Sequence, residues 1–177
     1  AIAAGVDSAD TLTSLTLSAM QTTAEMTSLL AAAVGATVSL DGADAEQIGA
    51  VATAIGEDAT RVAVVTGLSL TNAQDATAMT QLLGKTADDS VAVDAGEMVA
   101  AQLSALVSGI AKVSGITDLA LSEAQSADDM TALFTKVTGA SVAVDASGMI
   151  EGQLDQLVAA IDKVSGIDSL ALNLTTR

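Results

Sequence analysis

The sequence predicts an α/β repeat solenoid, strand-helix coils stacked one upon the next, and three observations point there. The chain matches itself at a nearly constant offset: Gln21, Gln74 and Gln125 stand 53 and 51 residues apart, and Met26, Met79 and Met130 keep step with them. A short apolar-small-apolar triplet recurs along the whole chain, the period-two signature of a strand with one packed face. Finally, 50% of the 177 residues are hydrophobic, yet there is one Phe and no Trp, Tyr, His, Cys or Pro. An interior made of Ala, Val, Leu, Ile and Met fills thin repeated layers more readily than one large irregular core.

Two skeletons alternate. The first runs over 15–30, 68–83 and 119–134, and the second over 38–55, 91–116 and 142–167, where Asp41, Asp94 and Asp145 align, as do Gln47, Gln102 and Gln153. Each opens on a triplet: Leu15 to Leu17, Val38 to Leu40, Leu68 to Leu70, Val91 to Val93, Leu119 to Leu121, Val142 to Val144 and Leu170 to Leu172. Seven short parallel strands follow. Their third residues are spaced 23, 30, 23, 28, 23 and 28 residues apart, too far for hairpins and right for a turn, a helix and a return.

About six helices fill those intervals. Met26, Leu29, Leu30 and Ala33 recur at helical spacing, as do Leu103, Leu106, Ile110 and Val113, and Leu154, Leu157, Ile161 and Val164. Thr22, Asp75 and Ser126 suit N-caps, while Gly35, Gly84, Gly115, Gly139 and Gly166 stand where helices are expected to end. The expectation is one continuous solenoid over 1–177, with repeats near 15–67, 68–118 and 119–169 and partial repeats at both ends. Each repeat is two coils, so seven strands stacked at ~4.8 Å make a rod on the order of 29 Å long.

Six basic and 22 acidic residues give a net charge of −16, which argues against a hold on nucleic-acid phosphates or anionic lipid. Gly, Asp, Ser and Thr interrupt every apolar stretch, so no membrane insertion is expected. Without His, Cys or Tyr the chain lacks the usual general bases and nucleophiles, and no enzyme is expected. Asp88-Asp89 and Asp128-Asp129 read as charge at helix starts.

The remaining candidates are binding positions. Asp41, Asp94 and Asp145 each end a strand with a glycine close behind, so their turns are either helix caps or candidate calcium ligands; no other cofactor is implied. The triplet centres Thr16, Ser39, Ser69, Ala92, Ala120, Ala143 and Ala171 form a flat sheet face suited to lateral assembly. Open solenoid ends offer a second way to assemble, since they leave strand edges and a core layer uncovered. The repeated glutamines form either a buried amide ladder or an exposed row.

The Val-x-Val-Asp-Ala and Leu-x-Leu-Ser segments, with abundant Ala, Thr, Ser, Asp and Gly and almost no aromatics, resemble the long acidic repeat regions of giant bacterial surface proteins. Marine bacterial and cyanobacterial adhesins and surface-layer proteins are the nearest types. The resemblance implies an extracellular or cell-surface location and a structural role in a filament, sheath or surface layer, self-assembling with copies of itself or with neighbouring repeats. The alternative is an adhesive module of a large secreted protein that takes a glycan or another surface ligand.

Overall fold

A computed structural model describes residues 15–170. Among them the chain forms six α-helices and three parallel sheets, each of three short strands. The first repeat contains β1 (Thr16–Leu17), α1 (Thr23–Ala31), β2 (Ala36–Ser39), α2 (Ala45–Glu57) and β3 (Val62–Thr66). The second contains β4 (Ser69–Leu70), α3 (Ala76–Leu83), β5 (Val91–Asp94), α4 (Ala100–Ser108) and β6 (Val113–Thr117). The third contains β7 (Ala120–Leu121), α5 (Ala127–Lys136), β8 (Val142–Asp145), α6 (Glu151–Ala159) and β9 (Val164–Asp168). The sheets are ordered β1-β2-β3, β4-β5-β6 and β7-β8-β9, and the helices pack on one another in chain order, α1 on α2 through to α5 on α6.

The helices begin where the sequence placed them. Thr22, Asp75 and Ser126 are N-caps of α1, α3 and α5, and each accepts a hydrogen bond from the backbone N–H three residues on. Met26, Leu29 and Leu30 are buried, as are Met79, Leu82 and Leu83, and then Met130, Leu133 and Phe134. Each such side chain contributes about 1.5–3 kcal/mol on leaving water. One apolar face per helix therefore holds its coil against the sheet.

Three strands were not expected: β3, β6 and β9. The sequence pattern places Val113 and Val164 on helix tails and Gly115 and Gly166 at helix ends, but all four lie inside strands. The cause is a bulge in each of these strands. Val91 pairs with Val113 but Ala92 with Gly115, which leaves Ser114 as the extra residue; Ala63 and Ser165 hold the same position in β3 and β9. A bulge spaces the inward residues three apart, as in Val62 and Val65 or Val113 and Ile116. That spacing mimics a helix. The Ser114 and Ser165 hydroxyls each donate to a carbonyl of the neighbouring strand, Val91 O and Val142 O, at 3.0 Å.

The expected single stack of seven strands is accordingly replaced by three separate sheets. Six of the triplets fall at β1, β2, β4, β5, β7 and β8; in the seventh, Leu170 to Leu172, only Leu170 lies within the described residues. After each third strand the chain turns through a residue of positive φ, namely Gly67 (+63°), Asp118 (+51°) and Ser169 (+56°). The turn carries β3 directly into β4 and β6 into β7 in a new sheet. Successive repeats remain linked: Ile116 of β6 bridges in parallel to Val137, just after α5, and the Val65 N–H of β3 donates to Lys85 O, just after α3, at 2.9 Å.

Candidate functional site

Among the described residues six polar side chains are buried, and five of them are Gln47, Gln74, Gln102, Gln125 and Gln153. The sequence offers Gln21, Gln74, Gln102, Gln125 and Gln153 as a buried ladder or an exposed row; four of these are interior, Gln21 is half-buried, and Gln47 joins the buried set. Gln102 sits in the first turn of α4. Its Nε2 donates to Asn72 O at 2.9 Å and Gln74 O at 2.6 Å in the preceding coil, and its Oε1 accepts the Val99 N–H at 2.8 Å. Gln47 holds Ala19 O, Gln21 O and the Asp44 N–H in the same way, and Gln153 holds Glu123 O, Gln125 O and the Ile150 N–H. In turn Gln74 and Gln125 accept the N–H groups of Thr71 and Ser122. Each clamp ties the start of α2, α4 or α6 to the turn that precedes the helix before it, α1, α3 or α5, and no buried side-chain nitrogen or oxygen among the described residues lacks a partner.

The helix starts beside these clamps differ. Asp44 and Gln47 form a reciprocal capping box, each accepting the other's backbone N–H at 2.9 Å. In α4 and α6 the N-cap is Val99 or Ile150, so the glutamine half remains and the side-chain cap is missing.

The strand-end carboxylates do not align as the sequence suggested. Val38, Val93 and Val144 occupy one register, because they pair with Val65, Ile116 and Ile167. Ser39 is then the counterpart of Asp94 and Asp145, and Asp41 falls two residues further on, beside Gly67. The matching of Val-Ser-Leu-Asp to Val-Ala-Val-Asp had slipped by two, a shift that preserves strand parity and therefore leaves the hydrophobic pattern unchanged. None of the three aspartates caps a helix. Asp94 accepts the Gly96 N–H at 3.2 Å and Asp145 the Ser147 N–H at 3.1 Å, each closing its own turn. That backbone bond, with help from the Ser147 hydroxyl, holds the Asp145 carboxyl below its ordinary range. No group of three or more carboxylates suited to a metal ion occurs among the described residues.

The expected single outward face is divided into three rows, one on each sheet, and Thr37, Val64, Gly115 and Gly166 join the triplet centres in them. Its rows are Thr16–Thr37–Val64, Ser69–Ala92–Gly115 and Ala120–Ala143–Gly166. Ser39 pairs with Thr66, one position beyond the first row, and Ala171 lies outside the described residues. At the junction of the second and third repeats a groove of about 510 Å³ opens between Met98, Val99, Leu121 and Gln125 on one side and Asp145 and Asp168 on the other.

Three lysines are engaged by the chain itself, within repeats and between them. Lys112 pairs with Asp88 at 2.7 Å and Lys136 with Asp89, fastening the loop before β5 to later coils. The hydrogen bond from Lys112, followed by its charge, holds the Asp88 carboxyl below the usual carboxylate range. Lys163 donates to Phe134 O and Val137 O at 2.7 and 3.1 Å, capping the end of α5. Asp128 and Asp129 lie in the first turn of α5, where the helix dipole favours negative charge. No helix among the described residues is long and apolar enough to cross a membrane. No family model, curated protein or solved structure matches the chain.

Proposed function

We propose that this chain is a structural segment of a stacked α/β solenoid, serving in an extracellular filament, sheath or surface layer and assembling with copies of itself or with neighbouring repeats. One observation carries the reading: three of the buried polar side chains, Gln47, Gln102 and Gln153, are spent on joining each repeat's second helix to the turn before its first, and backbone bonds then join repeat to repeat. The amides of Gln47, Gln102 and Gln153 each bond backbone of the preceding coil, and sheet edges continue across repeats at Val65 with Lys85 and Ile116 with Val137. Such nearest-neighbour bonding suits an array whose length is set by repeat number.

The test is to insert further copies of the 68–118 repeat and measure the maximum dimension by small-angle X-ray scattering. A solenoid lengthens by a constant increment per repeat at fixed cross-section. Growth that slows with added repeats, as in a compact globule, refutes the stack. Electron microscopy of the concentrated protein then reads the role: fibres or layers support it, and dispersed particles at high concentration count against it. The groove beside Asp145 and Asp168 favours a second reading, an adhesive module whose carboxylates accept the hydroxyls of a glycan. Saturable binding lost on Asp145→Ala would support that reading.

A further inference from the structure

The two ends of the described chain are unlike and complementary in type. Helices alternate between a first type (α1, α3, α5) and a second type (α2, α4, α6). Every internal second-type helix has a first-type helix on its far side, α3 on α2 and α5 on α4. α6 packs on α5, and no other helix among the described residues packs substantially against it; α1 stands likewise beside α2 alone.

The interior shows what covers such a face. On α4 and the strand after it, Leu103 is 1% and Ile116 0% exposed, and Val107 and Ile110 are half-buried, with α5 lying over this surface. Their counterparts on the last described coil are Leu154, Ile167, Val158 and Ile161. Here Val158 is 72%, Ile161 55% and Ile167 38% exposed. Nearly the same side chains are covered in one coil and bare in the next. The rims differ in charge: Ala100, Ser104 and Ala111 border the α4 surface, whereas Glu151, Asp155 and Asp162 border that of α6. The incoming helix would bring Glu25, the counterpart of Asp129 in α5.

We propose that this bare face receives α1 of a second copy of the chain, in the geometry that α5 adopts on α4, and that the acidic rim makes this docking salt-dependent. The proposal rests on the stacked-repeat reading and names the surface through which stacks join. A head-to-tail contact of this kind does not close on itself, so it builds linear assemblies. At low ionic strength the rim of Glu151, Asp155 and Asp162 repels Glu25. Near 1 M salt the screening length falls to about 3 Å, and the apolar contact prevails.

Sedimentation velocity across a salt series tests this. The expected result is monomer at ~20 mM salt and head-to-tail oligomers near 1 M, where apolar burial is unscreened. Ile161→Asp, an exposed position, should remain monomeric throughout while keeping its circular dichroism spectrum. The triple change Glu151→Ala, Asp155→Ser and Asp162→Ala gives α6 the rim of α4 and should assemble at low salt. With no native cysteine present, mixing Val158→Cys with Ser28→Cys locates the contact by disulfide formation. Cross-linking of that pair supports the proposal. Assembly unaffected by Ile161→Asp, a rim variant monomeric at every salt concentration, or cross-linking through Ala143→Cys on the sheet face instead would each overturn it. Linear growth on adding repeats is measured on monomers at low salt, so failure of the stack and failure of the docking are separate results.

Discussion

Replacing Gln102 by leucine tests whether coil-to-coil amide bonding holds this fold together. Leucine has nearly the same length and volume, so the packing around α4 is retained while three hydrogen bonds disappear, to Asn72 O, Gln74 O and the Val99 N–H. At about 1 kcal/mol net for each neutral bond the loss is about 3 kcal/mol. The cost is uneven: Asn72 and Val99 are exposed and recover water, whereas Gln74 is 4% exposed and its carbonyl loses its amide donor with little access to solvent. Leucine returns roughly 1 kcal/mol through greater apolar burial, leaving a net destabilisation of about 2 kcal/mol.

The measurement is urea unfolding followed by far-ultraviolet circular dichroism, since a chain with one Phe and no Trp or Tyr offers little fluorescence. Hydrogen exchange localises the effect, and protection should fall first in the turn at 72–75 and at the start of α4. Ser104→Ala, on the exposed side of the same helix, should change stability by less than about 0.5 kcal/mol. Gln102→Glu adds a sign. A carboxylate facing two carbonyl oxygens is disfavoured, so its folded pKa rises above the unfolded value, and the variant should lose stability as pH rises through that range. If Gln102→Leu costs less than about 0.5 kcal/mol, the amide clamps are incidental to stability and the reasoning fails.

Four further outcomes follow from the geometry. Val99→Thr supplies the missing cap at a residue already in the extended conformation (φ −83°, ψ 164°), and it should raise stability by about 0.5–1 kcal/mol in urea titration. Ser114→Ala removes the bond from the bulge to Val91 O and should cost about 1 kcal/mol, read by the same titration. Gly67→Ala should be among the most damaging glycine changes, because its φ is positive and a Cβ would lie 2.7 Å from the Asp41 backbone nitrogen. Gly166→Ala, with nothing within 4 Å, provides the comparison in thermal melts. In acid, Glu25, Asp58, Asp88 and Asp145 all have lowered pKa values, from Thr22, Thr60, Lys112 and Ser147 respectively. Their contribution is complete above the ordinary values of 4.5 and 3.8 and is lost as pH falls through the lower native ones, so a pH series of melts should show the decline below about pH 4.

The parts of the fold legible in the sequence are those written in local chemistry. Thr22, Asp75 and Ser126 cap helices because a short side-chain oxygen before an apolar period has few other uses there. The helical faces are equally plain, since Met, Leu and Leu at fixed spacing are buried in every first-type helix. The bulged strands were hidden, because one extra residue converts a period of two into an apparent period of three. The slip at Asp41 was hidden for a related reason. A two-residue offset keeps inward residues inward, so hydrophobicity alone could not separate Val38 from Leu40, and only pairing with Val65 does so. An internal check was nonetheless present: Gln47, Gln102 and Gln153 each follow Val38, Val93 and Val144 by the same nine residues, and no gap is needed once those valines are aligned.

The corner residues explain why the repeating unit is three strands and two helices. Gly67, Asp118 and Ser169 stand at equivalent places after the third strand, and all three have positive φ although only one is glycine. Aspartate and serine pay a steric penalty there that glycine avoids. The bend persists because neighbouring backbone fixes it: a Cβ on Gly96 would lie 2.7 Å from Asp118 O, so the turn after β5 is pressed against the corner. The close pair divides its constraints differently in the first two repeats. In the first, glycine occupies the corner and Asp41 the facing turn; in the second, aspartate occupies the corner and Gly96 the turn. Asp118→Gly alone should therefore stabilise by about 1 kcal/mol, whereas Gly96→Ala alone should destabilise. If the corner and the turn are coupled in this way, combining the two changes should cost less than the sum of their separate effects, because the Asp118 side chain that also crowds Gly96 is gone. Strict additivity in a double-mutant cycle would show that the turn and the corner bear on each other through backbone alone.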